Sequence, residues 1–256
     1  MDRFAIFEGI LSRRCNLREA VMLDFGCGAG KLVRAALARG VDCYGCDIDF
    51  SHKWSTEGEL ADLLQSRRVR QIAGALENVS PQAGESYRLP FDDGMFDVVI
   101  SDQVMEHVRN YPEVIDEFAR VLKPGGLMLH MFPSKYRLVE PHQMVPLASF
   151  YRPYWWLRLW SMLGVRNRFQ AGMPAREVAR YNQRWLPEHT NYLTVGQLGR
   201  LFSPAFTLEF VEKEFMRYGR ARMLVFPWLY RTVLSRIMLG VRTAAVTSPE
   251  RPSVPR

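Results

Sequence analysis

The sequence predicts an α/β fold: a doubly wound sheet, mostly parallel with an antiparallel terminal strand, followed by a C-terminal helical and aromatic elaboration. Three observations carry this expectation. Short apolar runs and amphipathic segments alternate four times between residues 21 and 132, the rhythm of strands joined by crossover helices. The first run, VMLDF, ends in an acid and breaks into glycines at 26, 28 and 30, a turn in which backbone must approach a ligand closely. After Pro133 the rhythm gives way to a long stretch rich in Trp, Tyr, Pro and Arg.

In chain order, residues 4–20 read as a helix or helix pair, with Phe4, Phe7, Ile10, Leu11 and Leu17 at helical spacing. Residues 21–25 form a strand, 31–39 a helix stopped at Gly40, and 41–46 a second strand ending at Asp47. A charged stretch at 51–73 reads as helical, 84–91 as a connection, and 96–100 as a strand. Residues 106–122 have helical spacing, KPGG at 123–126 is a turn, and 127–132 is another strand. Thr194 introduces a helix over 194–201, and 206–213 with 222–226 are expected to pair as terminal strands. In the last apolar and basic segment, 228–242, Leu229, Val233, Ile237 and Val241 align on one helical face. The division expected is a core at 1–133, a substrate-region or lid insertion at 134–193, completion of the sheet plus an amphipathic helix at 194–242, and a disordered tail at 243–256.

The net charge of +7 conceals an asymmetry. Residues 1–132 carry 15 Lys and Arg against 20 Asp and Glu, whereas residues 133–256 carry 19 against 7. The second half therefore favours anionic partners. No apolar run reaches the length of a membrane span and the first residues lack the pattern of a secretion signal, so the expected location is the cytoplasm. The cysteines, at 15, 27, 43 and 46, suggest no disulfide framework. CYGC lies in a strand, where residues three apart point to opposite faces, which argues for buried thiols rather than a metal site. No metal is expected.

The glycine spacing separates two ligand classes. A dinucleotide turn needs G-x-G-x-x-G, but Lys31 holds the position of its third glycine, which here arrives one residue early. An acid followed by G-x-G-x-G, here Asp24, Gly26, Gly28 and Gly30, resembles motif I of class I S-adenosylmethionine-dependent methyltransferases. CYGCDID, GESYRLPFDDGMFDVVIS, SDQVMEHV and FARVLKPGGLMLHMFP are similar to that family's later segments, in its order. The resemblance covers roughly half the chain and is nearest the branch acting on small molecules and lipids. It implies a Rossmann-like fold and S-adenosyl-L-methionine as cofactor. It further implies that Asp47 receives the ribose hydroxyls, as a carboxylate accepting two hydrogen bonds can, and that Ile48 lies against adenine. Glu85, one methylene longer than the family's Asp, would meet the adenine amino group, with the Ser86 amide beside it. Asp24 and Asp102 would face the cofactor's amino end.

With an activated methyl donor, positioning does most of the catalysis, and a hydroxyl acceptor would gain from a base. His107, His130, His142, His189 and Tyr136 are the candidates. His142, just past the fifth strand, is favoured, with Tyr136 as neighbour. His107 also reads as a structural residue and His130 as a core residue of a strand. Trp and Tyr beside Arg in FYRPYWWLRLWSMLGVRNRF suit a membrane interface, although the same residues could line a lid. The expected partners are a small-molecule or lipid acceptor and an anionic membrane surface, with nucleic acid the weaker choice. The competing reading is a cofactor-binding scaffold without catalysis.

Overall fold

The computed structural model of the protein describes residues 2–50, 57–72, 87–215 and 235–243. Its strands are β1 (Val21–Phe25), β2 (Asp42–Asp47), β3 (Val69–Gln71), β4 (Phe96–Asp102), β5 (Leu122–Pro133), β6 (Phe206–Phe210) and β7 (Ser235–Arg242). They form one sheet in the order β3-β2-β1-β4-β5-β7-β6. The first five are parallel, and β7 runs antiparallel to both β5 and β6. The chain winds outward from β1 through β2 to β3 and then restarts at β4 on the other side of β1. This switch opens a crevice at the carboxyl ends of β1 and β4, where such sheets bind ligands.

Helices cover both faces, which is why the central strands read as continuous apolar runs. Neighbouring residues divide between two cores. Met22, Val98, Leu129 and Ile237 join Phe4 and Phe7 of α1 (Arg3–Leu11), Val33 of α2 (Lys31–Leu37) and Leu60 of α3 (Glu57–Gln65). Leu23, Val99, Met128 and Met238 join Phe118 of α4 (Tyr111–Val121) and Leu198 of α7 (Val195–Phe202). Cys43 falls in the first core and Cys46 in the second. All four thiols are free, and burial raises the pKa values of the three at 27, 43 and 46.

Between β5 and α7 lie α5 (Tyr154–Met162) and α6 (Ala175–His189). They enclose a small core of their own around Val145, Ala148, Leu157, Ala179 and Leu186. Thr194 caps α7 as expected, its hydroxyl accepting from the Gln197 amide while the Gln197 side chain accepts from the Thr194 amide.

Residues 69–71, at the end of the stretch read as helical, form strand β3; KPGG lies within β5; and the strand begun at 206 stops at Phe210 and pairs with β7. Two further expectations are corrected. The helical alignment of Ile237 and Val241 is not realised, because 235–242 is strand β7. It supplies the partner that the outer edge of β5 needs, in the register Met131 with Ile237 through Leu127 with Val241. Gly240 lies opposite Met128, and a Cβ there would overlap the Met128 side chain. Leu229, Val233 and the strand expected at 222–226 lie outside the described residues, as do the polar tail from 244, Glu85 and Ser86. The second correction concerns α4, which begins at Tyr111 rather than near residue 106. Pro112 suits a first turn, where no amide is needed. Glu106 and His107 are thereby left on the β4–α4 loop.

Candidate functional site

The glycine turn connects β1 to α2. Gly26, Gly28 and Gly30 all have left-handed φ, of 74°, 50° and 72°, a conformation that disfavours any side chain. Their surroundings differ. A Cβ on Gly26 would overlap the branched side chain of Val104, whereas one on Gly30 would meet the terminal methyl of Leu63 at 2.6 Å. A Cβ on Gly28 would meet nothing within 4 Å. The middle glycine thus faces open space.

Carboxylates surround that space. Asp47 ends β2 and turns back to the turn: Oδ2 accepts from the Gly28 amide at 2.7 Å, and Oδ1 accepts from the Ile48 amide at 2.7 Å. The Asp49 amide lies 3.5 Å from the same Oδ1, and a carboxylate, an acceptor of several hydrogen bonds, suits hydroxyl donors. Ile48, next in sequence, is 44% exposed. Asp24 is 1% exposed and neither of its oxygens has a hydrogen-bond partner among the described residues. Burial, followed by the charges of Asp102 and Asp47, raises its pKa well above the usual carboxylate range. Asp102, at the end of β4, accepts from Arg3 Nε at 2.6 Å, so the start of α1 also borders the crevice.

These features fit S-adenosyl-L-methionine: open space beside a turn lined by backbone amides, a carboxylate suited to hydroxyl donors, an exposed apolar side chain and a buried carboxylate wanting a donor. The LPF segment is anchored beside them. Leu89 and Phe91 are buried in the second core, the Leu89 amide donates to Glu117 Oε2 at 2.6 Å, and Arg120 donates to the Leu89 and Phe91 carbonyls.

A second cluster stands beyond β4. Val104 packs over Gly26, and two residues later Glu106 is 1% exposed with neither carboxylate oxygen partnered among the described residues. Burial pushes its pKa up to about 7. His107 and His142 approach each other edge to face, with ring centroids 4.9 Å apart. His107 Nδ1 contacts the His189 carbonyl at 2.7 Å. That oxygen can only accept, so Nδ1 carries the proton and Nε2 is left with its lone pair. Burial, opposed by the contact with the His189 carbonyl and aided by the charge of His142, lowers the His107 pKa, although 40% of its side chain remains accessible. His142 Nδ1 contacts Glu140 Oε1 at 2.6 Å, and the Tyr192 hydroxyl donates to the same oxygen at 2.7 Å. Burial opposes ionisation of Glu140, but hydrogen bonds from His142, the Gln143 amide and Tyr192 hold its pKa below the ordinary value. The His142 Nε2 is likewise the ring position left open.

This cluster depends on α6. Beyond the His107 contact, the Asn191 amide donates to the Glu106 carbonyl at 2.6 Å and Asn191 Nδ2 to the Val108 carbonyl at 2.9 Å. The loop carrying His142 is held by a buried amide chain. Gln170 Nε2 donates to Gln143 Oε1 at 2.7 Å and to Asn182 Oδ1 at 2.6 Å. Gln103 and Met144, non-glycine residues with positive φ of 59° and 60°, flank the two halves of the cluster, and such strain concentrates at functional sites.

The structure therefore brings His107 and His142 together and leaves Tyr136 apart. Tyr136 is 44% exposed and its ring lies 5.5 Å from Phe150. His130 is a core residue: fully buried, bonded through Nδ1 to Ser101 Oγ at 2.7 Å, stacked on Phe118, and pushed by burial to a pKa of about 3. His189 stacks on Trp185 with centroids 4.5 Å apart. Reading the sequence missed Glu106, Glu140 and Tyr192 as site residues. The first two had a signal in the adjacent acid and histidine of MEHV and the closely spaced pair in EPH. Tyr192 had none.

A model of a methyltransferase domain matches residues 23–130. Over 106 residues the chain is 32% identical to norajmaline N-methyltransferase of Rauvolfia serpentina, covering 41% of this chain and 33% of that protein. Over 127 residues it is 32% identical to demethylmenaquinone methyltransferase of Staphylococcus aureus, covering 49% and 48%. The chain thus spans between a third and a half of the length of these curated relatives. The solved structure of an S-adenosylmethionine-dependent methyltransferase from Mesorhizobium loti superimposes with a TM-score of 0.52 at 14% identity, covering 93% of this chain and 98% of that one. At that identity the likeness is one of fold.

Proposed function

Because residues 23–130 of the chain belong to the class I S-adenosylmethionine-dependent methyltransferase family, we propose that the protein methylates a small-molecule or lipid acceptor at the surface of an anionic membrane. The observation that carries the catalytic reading is the open space at Gly28, whose amide donates to Asp47, together with the buried, unpartnered carboxylate of Asp24 on β1. The cofactor supplies a methyl group already activated on a sulfonium. Asp47 and Ile48 would hold its nucleoside, and Asp24 and Asp102 its amino end. Glu85 and Ser86 are assigned to adenine on the family motif alone.

The chain's own task is to orient an acceptor, exclude water and take up a proton. Glu106, His107 and His142 are the groups assigned to the acceptor. Glu140 holds His142 in one orientation through its contact with Nδ1, as a carboxylate does behind a catalytic histidine. Tyr136 is assigned no catalytic step, because its neighbour is Phe150. The segment around α5 and α6 is assigned to the acceptor and its entry, and the relatives named for norajmaline and demethylmenaquinone support an acceptor of small-molecule size.

Membrane contact is supported by α5. Trp155, Leu159, Met162 and Leu163, spaced along one side of the helix and its end, are between 41% and 65% exposed. Tyr151, whose ring lies 6.0 Å from that of Trp155, continues this apolar surface; Phe150 and Phe169 are also exposed, and Arg158, Arg168, Arg176, Arg180 and Arg184 are exposed near it in sequence. Apolar anchors beside arginines suit an acidic lipid surface. No helix among the described residues is long and apolar enough to cross a membrane.

The test is a mass-shift screen of quinol, phenol, amine and polyprenyl acceptors with S-adenosyl-L-methionine, with and without vesicles containing phosphatidylglycerol. Methyl transfer stimulated by the vesicles, and lost in W155S/L159S, is expected. Cofactor binding without turnover of any acceptor class would favour a scaffold. Turnover of soluble acceptors without vesicle binding would remove the membrane from the reading.

A further inference from the structure

We propose that Glu106, His107 and His142 form a binding site for a divalent first-row transition-metal ion of the zinc type. One ligand atom from each residue lies within 4.8 Å of the others. The set comes from two places in the chain that the end of α6 brings together, which is why no spacing in the sequence reveals it.

The chemistry of each group points the same way. An imidazole that ligates a metal normally donates its other ring N–H to a carbonyl or carboxylate, which fixes the tautomer and directs the remaining lone pair. Both histidines are arranged so: His107 through the His189 carbonyl and His142 through Glu140, the latter held in turn by Tyr192. Glu106 adds an independent observation. It is a carboxylate 1% exposed, with both oxygens unpartnered among the described residues, and it sits 3.9 Å from His107 Nε2. A cation would satisfy it.

Two imidazoles and one carboxylate favour zinc, manganese, iron or cobalt over magnesium or calcium, which prefer all-oxygen sets. Bonds of about 2.0–2.1 Å place tetrahedral ligand atoms roughly 3.4 Å apart, so the cluster must tighten by about an ångström as it closes on the ion. Three protein ligands leave a fourth position, and a His107 side chain that is 40% accessible means the cluster is not sealed from solvent. The inference rests on the proposed methyl transfer only in what that position does: it would take the acceptor's oxygen or nitrogen. A hydroxyl bound there releases its proton to water more readily, because the ion stabilises the resulting alkoxide or phenolate.

The experiment uses the full chain, stripped with chelator and titrated with zinc by calorimetry, with cobalt absorption as a second readout. One equivalent is expected to bind, with cobalt d–d bands of a mixed nitrogen and oxygen set. Glu106→Gln, His107→Ala and His142→Ala should each lose at least tenfold in affinity. Glu140→Gln, acting behind His142, should lose about 10–100-fold, and His130→Gln should bind as the parent does. Binding of S-adenosylhomocysteine is measured in every variant, so that loss of metal is separated from loss of fold. Absence of stoichiometric binding in the parent, or parental affinity in both histidine variants, overturns the site while leaving methyl transfer standing. Stoichiometric metal binding in a chain that turns over no acceptor would leave the site standing and remove its assigned role.

Discussion

Replacing Gly28 by alanine separates the cofactor turn from the stability of the fold. The residue has φ of 50° and its added methyl would meet nothing within 4 Å. The cost to folding is therefore conformational: about 1–2 kcal/mol for an alanine held in the left-handed region. At roughly 2–4 °C per kcal/mol for a chain of this size, the melting temperature should fall by no more than about 8 °C. The methyl would occupy the space assigned to the cofactor, and an affinity loss of tenfold or more, about 1.4 kcal/mol or greater, is expected. Gly26→Ala provides the contrast, because the same methyl would overlap Val104 and should destabilise the empty protein further. Differential scanning fluorimetry gives the first quantity and calorimetry with S-adenosylhomocysteine the second. A Gly28→Ala variant that folds and binds the product with parental affinity would refute the placement of the cofactor over this turn.

Two further outcomes follow from buried groups. Burial and the charges of Asp102 and Asp47 raise the Asp24 pKa. Between the unfolded value of roughly 3.9 and that raised value, the native state holds a proton the unfolded chain lacks, so stability falls as pH rises through the window. Asp24→Asn should raise the stability of the cofactor-free protein near neutral pH by about 1–2 kcal/mol, with the gain shrinking towards pH 4 and product binding weakened; melting curves that show a gain growing on acidification would contradict this. Gly240→Val would drive a branched side chain into Met128 across the β5–β7 ladder and should cost about 1–3 kcal/mol. An unchanged urea midpoint would dispute the register of that pair.

Much of the turn assigned to the cofactor was legible because its geometry is local. Asp24, Gly26, Gly28 and Gly30 belong to one turn, and Asp47 ends the next strand, so strand periodicity and glycine spacing located them without knowledge of distant contacts. The opposite faces of Cys43 and Cys46 followed from the period of a strand alone. β7 was misread because apolar residues at 237 and 241 suit a helical face as well as a strand, and only the unpaired edge of β5 decides between them. The helix expected at 106 failed for a similar reason: Pro112 and the docking of residues 187–191 hold Glu106 and His107 in a loop.

By itself the sequence determined the alternation of strands and helices, the acid and glycine pattern beside β1, and the concentration of arginines and aromatics after residue 133. These depend on neighbours within a few residues, where periodicity and backbone freedom act. Only the tertiary structure decided that Glu106 and His107 meet His142, that Tyr136 does not, and that Glu140 and Tyr192 stand behind the cluster. The contacts of His107 and Glu106 with His142 span 35 and 36 residues of chain, and those of Tyr192 with His142 and Glu140 span 50 and 52; they exist because α6 packs its end against the β4–α4 loop.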